Sequence, residues 1–212
     1  MGQREQSRAL PLGSMAAVLA RARKRILRHQ SHLVFGTECS TNLHVRWLPQ
    51  EVPIHYSRTA PLPAVRRNEL EHLLPDSGPY LLAVDNGEAE GLLVCVDDRI
   101  VHSAFLMFMN KTTCLLGFDR RTGLLGNAYT VPVYRGRGCQ ARSTQMRVLM
   151  AARAGLTSVI SETSPGNGAS QRGLIKGGMM LLGTTRFVVV LNTLVLRLER
   201  ASPRVQRVSI CI

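Results

Sequence analysis

Ala141, Met146, Leu149, Met150 and Ala152 recur every three to four residues, which predicts a helix over residues 141–154 with one buried face. Upstream, residues 124–131 are apolar and β-prone, and Pro132 limits how far a paired strand can continue. Downstream, Thr157-Ser158-Val159-Ile160-Ser161 reads as another strand, and a helix between two strands implies a parallel crossover. Earlier in the chain, the apolar runs 80–84, 91–96 and 100–108 are split by Asp85-Asn86-Gly87 and Asp97-Asp98, which predicts an antiparallel meander. Residues 112–118 are expected to add a strand before the 124–131 run.

At the front, residues 32–35 and 43–47 look like short strands, and a connection through Pro49, Pro53, Pro61 and Pro63 is expected to lack regular structure. Residues 64–74 form a helix pattern that stops before Pro75. Near the end, 169–176 reads as a short helix closed by Gly177-Gly178, and 186–198 as one long final strand. Antiparallel strands followed by one βαβ unit differ from the repeated βα of a dinucleotide-binding fold.

The loop between the 124–131 strand and the following helix is Tyr134-Arg135-Gly136-Arg137-Gly138-Cys139-Gln140-Ala141. Gly136 and Gly138 let backbone N–H groups approach a ligand with no Cβ in the way. The helix start adds unpaired N–H groups and a partial positive charge, so a phosphate or pyrophosphate would fit. Two glycines in such a turn also suit a purely structural role, and the residues alone leave both readings open.

Residues 129–141 resemble the acyl-coenzyme A motif of the GCN5-related N-acetyltransferase (GNAT) superfamily, Arg/Gln-x-x-Gly-x-Gly/Ala, with Arg135-x-x-Gly138 matching it and Gln140 standing where Gly or Ala is usual. Asn167-x-x-Ser170 followed by Lys176-Gly177-Gly178-Met179 resembles a later segment of the same superfamily, so the likeness spans about residues 80–198. It implies an α/β (α+β) fold, a mixed, mostly antiparallel twisted sheet flanked by helices. It also implies acetyl-coenzyme A as cosubstrate, with its pyrophosphate on Arg135, Gly136, Arg137, Gly138, Cys139 and Gln140. The pantetheine arm would lie along the backbone of Ala128 and Thr130, and Asn167 would be a further contact or simply a turn or cap residue. The Tyr that many relatives use to protonate the leaving thiolate aligns with Leu174, which carries no proton. Tyr129 and Glu162 are the expected catalytic replacements, each with a bland alternative as core aromatic or solvated strand-end charge. His102, on an apolar strand, reads as a buried hydrogen-bonded histidine.

Charge modifies this picture little. The net charge is +13 over 212 residues, but residues 1–30 carry seven Arg/Lys against Glu5, and residues 197–212 four Arg against Glu199. About +4 is left for 31–196, which suits an anionic cosubstrate better than a long phosphate backbone and disfavours nucleic acid as partner. The layout expected is a basic extension and first helix over 1–30, one acyltransferase domain over 31–198 and a basic tail over 199–212. From Met15 onward Val18, Leu19, Ile26 and Leu27 interleave with arginines, as in a solvated first helix, with membrane-surface, nucleic-acid or targeting roles as alternatives.

Five scattered cysteines without C-x-x-C pairing indicate neither a disulfide framework nor a zinc site, and point to a reducing, cytoplasmic setting. Apolar runs such as residues 187–191 fall far short of the ~18 residues of a spanning helix. The expected partner is a small-molecule or peptide amine acceptor, with a homodimer left open. The reading is an N-acetyltransferase; the alternative is a catalytically weak acyl-coenzyme A sensor or interaction module.

Overall fold

The computed structural model describes the backbone of residues 27–108, 110–190, 194–202 and 205–211. Two compact units divide it: His32–Thr185, and a second holding the described residues of Arg186–Ile212 together with residues 27–31. The elements are β1 (Leu27–Glu38), β2 (Val52–Tyr56), α1 (Ala64–Leu73), α2 (Gly78–Asp85), β3 (Ala89–Val96), β4 (Arg99–Met107), α3 (Lys111–Leu115), β5 (Thr122–Thr130), α4 (Cys139–Arg153), β6 (Ser158–Thr163), α5 (Gly168–Lys176), β7 (Met180–Val190), β8 (Leu194–Ser202) and β9 (Val205–Cys211).

In the first unit the strands run β2-β3-β4-β5-β6-β1-β7, a mixed sheet of seven strands flanked by five helices. The pairs β2–β3, β3–β4, β4–β5 and β1–β6 are antiparallel, and β5–β6 is parallel across α4, as the crossover pattern requires. Side chains alternate across this sheet. Leu92, Leu106, Leu125 and Val159 join Val148, Ala151 and Leu174 in one core, while Leu93, Phe105 and Ile100 pack with Leu70, Leu81 and Val84 in the other. The second core puts α1 and α2 residues against the sheet, and the first draws on α4 and α5.

Several expected elements differ. Residues 43–47 form no strand, and the Pro-containing connection holds β2, whose Pro53 is tolerated because β2 is an edge strand. Residues 80–84 are helical in α2, not strand. Pro79 sits in the first turn, Leu81 and Val84 are buried one turn apart, and Leu82 faces out. A five-residue apolar run fits strand or buried helix equally, and the helix start decided it. Residues 112–118 likewise open with α3, not a strand, because the Asn110 side chain caps Thr112 N–H at 2.8 Å and the Thr113 hydroxyl donates to the Asn110 carbonyl at 2.6 Å.

The final strand is two strands. β7 starts earlier, at Met180, and ends at Val190; β8 starts at Leu194 and pairs antiparallel with β9, so backbone pairing continues within residues 199–202 and 205–211. The expected N-terminal helix from Met15 lies outside the described residues up to residue 26, and Leu27 already belongs to β1. Among the described residues no helix is long and apolar enough to cross a membrane.

Candidate functional site

The site begins with a divergence of two strands. β5 pairs with β6 only through Thr122, Gly123 and Leu124. Beyond that point β5 continues on β4 as far as Thr130, while β6 continues on β1 as far as Thr163. Where they part, the Ser161 hydroxyl donates to the Leu125 carbonyl at 2.9 Å. The divergence coincides with a bulge, since Asn127 and Ala128 stand in β5 where β4 offers Ala104 alone between its paired Ser103 and Phe105. Asn127 adopts φ 42°, a left-handed conformation that Asn tolerates better than a β-branched residue would.

A cleft of about 490 Å³ opens beside this strand end, lined by Ala128, Tyr129, Thr130, Arg135, Gly136, Gly138, Cys139, Gln140 and Asn167. Besides Tyr129, expected as a catalytic residue, these are the expected binding residues except Arg137, which is exposed with its guanidinium 5.1 Å from the centre of the Tyr134 ring. α4 starts at Cys139 with Gly138 as cap (φ 82°) and no side-chain cap, so its first-turn amides have no partner within the helix. Arg135 folds back so that Nε donates to the Thr130 carbonyl at 3.0 Å and its guanidinium lies 5.9 Å from the Tyr129 ring centre. That carbonyl is therefore engaged, whereas Ala128 is exposed and has no partner residue in β4.

The Cys139 thiol donates to Glu51 at 3.4 Å, and Glu51 also accepts from Arg142 at 2.5 Å and from the Leu48 N–H at 2.9 Å. The carboxylate is thereby balanced and adds little repulsion for an anion at the loop. Burial, and then Glu51, push the Cys139 thiol pKa up, which keeps it a neutral thiol. Asn167 caps α5, its Oδ1 accepting from the Ser170 N–H at 3.1 Å, so the cap role left open by the sequence is filled.

Gln140 fits because Gly173 faces it. A Cβ at Gly173 would collide with Gln140 Cγ, and one at Gly177 would stand 2.6 Å from Thr144 Cβ and 3.2 Å from the Ala141 carbonyl. The bulk at 140 is thus accommodated in the contact between α4 and α5. Arg172 and Lys176 of α5 also line the cleft and give it positive charge; their four-residue spacing on a short helix was the available signal. Leu174, in place of the relatives' Tyr, is 1% exposed in the core.

A second cleft, about 480 Å³, adjoins the first and shares Ala128, Gln140 and Ser170 with it. Glu162 lines this one and Tyr129 the other, so the two expected catalytic residues are not gathered in one cavity. Glu162 Oε2 lies 3.2 Å from His32 Nδ1 but makes no aligned hydrogen bond, so the contact counts as charge proximity only. Burial raises the Glu162 pKa, with His32 opposing. Sequence reasoning missed Arg147, which is 1% exposed yet lines this second cleft. Its place four residues after Ser143, on the buried stripe of α4, was the overlooked signal. His102 is fully buried with Nδ1 2.7 Å from the Thr130 hydroxyl; burial and the nearby Arg147 and Arg142 cations hold its pKa down at about 3, so it is a neutral structural histidine.

The fold superposes on a set of solved structures. A Drosophila protein superposes with a TM-score of 0.56 at 16% identity, over 86% of this chain and 59% of its own. A GCN5-related N-acetyltransferase from Kribbella flavida gives 0.54 at 12% identity over 82% and 62%. The chain has the GNAT fold. A GNAT-family acetyltransferase from Colwellia psychrerythraea gives 0.50 at 15% identity, over 84% and 60% of the two chains. The chain spans about three fifths of the length of these three structures. No family model matches the sequence, and no curated protein matches it.

Proposed function

We propose that this chain is an N-acyltransferase that moves the acetyl group of acetyl-coenzyme A to a primary amine. The observation carrying this reading is an anion-suited loop and a second, carboxylate-bearing cleft that meet at the bulge of a strand diverging from its neighbour. The pyrophosphate takes the first-turn amides of α4 together with Arg135, Arg172 and Lys176. The amide-bearing arm runs along the exposed backbone at Ala128, and the thioester reaches the junction near Ser170.

Glu162, its pKa raised by burial, takes a proton from the acceptor amine. The amine nitrogen attacks the thioester carbonyl, the C–S bond breaks, and the thiolate receives a proton from Tyr129 or from water at the junction. The products are the acetamide and free coenzyme A. The second reading, a coenzyme-binding sensor, is favoured by Leu174, which leaves its position without a proton donor. Calorimetry with acetyl-coenzyme A and thiol release over an amine panel separate the two: tight binding with no turnover on any amine means a sensor. The cytoplasmic setting expected from the cysteines belongs to the same proposal, as does an acceptor small enough for the second cleft.

A further inference from the structure

Arg147 is a buried cation with an incomplete set of partners. Its Nη1 donates to the Phe105 carbonyl at 3.1 Å and its Nε to the Ser143 carbonyl at 3.2 Å, but Nη2 has no partner among the described residues. No carboxylate pairs with it there either, although the residue is 1% exposed. Burial lowers its pKa to about 9, which still leaves it charged at neutral pH. A buried, unpaired guanidinium is costly to a fold unless something neutralises it.

The wall that Arg147 helps to form has a second incomplete donor, Asn127 Nδ2, and a carboxylate oxygen, Glu162 Oε2, that among the described residues accepts no hydrogen bond and has only the His32 imidazole near it, at 3.2 Å. The rest of that wall is mixed: Tyr80, Ala83, Met107, Leu124 and Leu125 make an apolar patch beside polar Asn110, Thr112, Gln140, Ser161 and Ser170. Two donors, one of them a cation, call for a carboxylate; a carboxylate acceptor calls for an amine; the apolar patch gives a hydrocarbon side chain a place to pack.

We infer that the second cleft takes a free α-amino acid with an apolar side chain, its carboxylate on Arg147 and Asn127 and its amine toward Glu162. This inference rests on the acyl-transfer reading and names its acceptor class. A peptide N-terminus has the same amine but presents a neutral amide oxygen to Arg147, which leaves the cation uncompensated. In the reaction the ammonium form loses two protons, one passing through Glu162 to solvent and one ending on the coenzyme thiol. One N–C bond forms and one C–S bond breaks.

The test compares leucine and phenylalanine with leucinamide, phenylalaninamide and 3-methylbutylamine on the wild-type chain, by thiol release with acetyl-coenzyme A and by calorimetry with and without coenzyme A. The free amino acids are expected to exceed the amides by on the order of a hundredfold or more in kcat/KM, because the amides leave a site built for a carboxylate unsatisfied. Asn127→Gly keeps the left-handed backbone and removes one donor, and is expected to shrink that preference with coenzyme affinity unchanged. Arg147→Met should abolish the preference if it folds; the wild-type comparison decides the matter if it does not.

Equal use of amides and acids, or preference for the dipeptide Leu-Gly, overturns the inference. So does an absence of leucine and phenylalanine binding in calorimetry while coenzyme A binds. Binding of the amino acid without any turnover upholds the site and sinks the acyl-transfer reading, so the two failures are distinct.

Discussion

Gly138 carries the strictest demand of any residue in the loop. It sits at φ 82°, where a side chain is strained, and a Cβ there would lie 2.9 Å from Arg142 Nη1. Gly138→Asp would add that strain and a negative charge beside the first-turn amides. The expected result is a fall in acetyl-coenzyme A affinity of about a hundredfold or more, read by calorimetry on folded variant protein; unchanged affinity would remove the coenzyme from this loop.

Glu162 supports a pH prediction. Its raised pKa means that the base form appears only as pH climbs past that value, with His32 of β1 pulling it down and the Arg147 cation of α4 on the same cavity wall. Turnover is expected to rise with pH through that titration. Glu162→Gln should lose this limb and lower kcat by roughly a hundredfold with little change in coenzyme affinity. The linkage sign agrees: the folded state binds this proton more tightly than the unfolded chain, so the group's contribution to stability declines as pH rises through its raised pKa. Tyr129→Phe isolates the acid role. If both variants retain turnover within a few fold of wild type, protonation belongs to water.

Among elements, the contact between α4 and α5 depends on glycine where the side chains opposite are bulky. Gly173→Ala would drive a methyl into Gln140 Cγ, and overpacking of this kind costs about 1–3 kcal/mol. A lowered melting temperature is expected for Gly173→Ala alone. Adding Gln140→Ala, which removes the colliding atoms, should restore much of the loss. If the double variant melts no higher than the single one, the clash does not set the packing here. The same contact explains how Gln140 is accommodated where the motif it resembles has a small residue: the space is taken from the opposing helix at Gly173.

Over the whole molecule, charge is unevenly distributed, with +9 of the +13 in residues 1–30 and 197–212. Deleting residues 1–14 is expected to leave acetyl-coenzyme A affinity within tenfold, or about 1.4 kcal/mol, because the cations lining the glycine-loop cleft are Arg135, Arg172 and Lys176. A larger loss would bring the N-terminal charge into the site. Deleting residues 203–212 differs in kind, since it removes β9 and uncovers the edge of β8. Light scattering should report association of that truncated chain, as bare strand edges template pairing.

The sequence by itself determined α4, the β5–α4–β6 crossover and the glycine loop, since each is specified by local periodicity, turn residues and short-range sterics. It also revealed the buried character of His102, because one polar residue in an apolar strand has few other places to go. It could not decide residues 80–84 or 112–118, where a short apolar or β-prone run fits either structure and the cap at Asn110 or the Pro79 helix start tips a small balance. Nor could it separate Tyr129 from Glu162 into two clefts or bring Arg147 to a cavity wall beside Asn127. Those placements depend on a bulge and on the angle at which two strands part, and both are set by packing between residues distant in the chain.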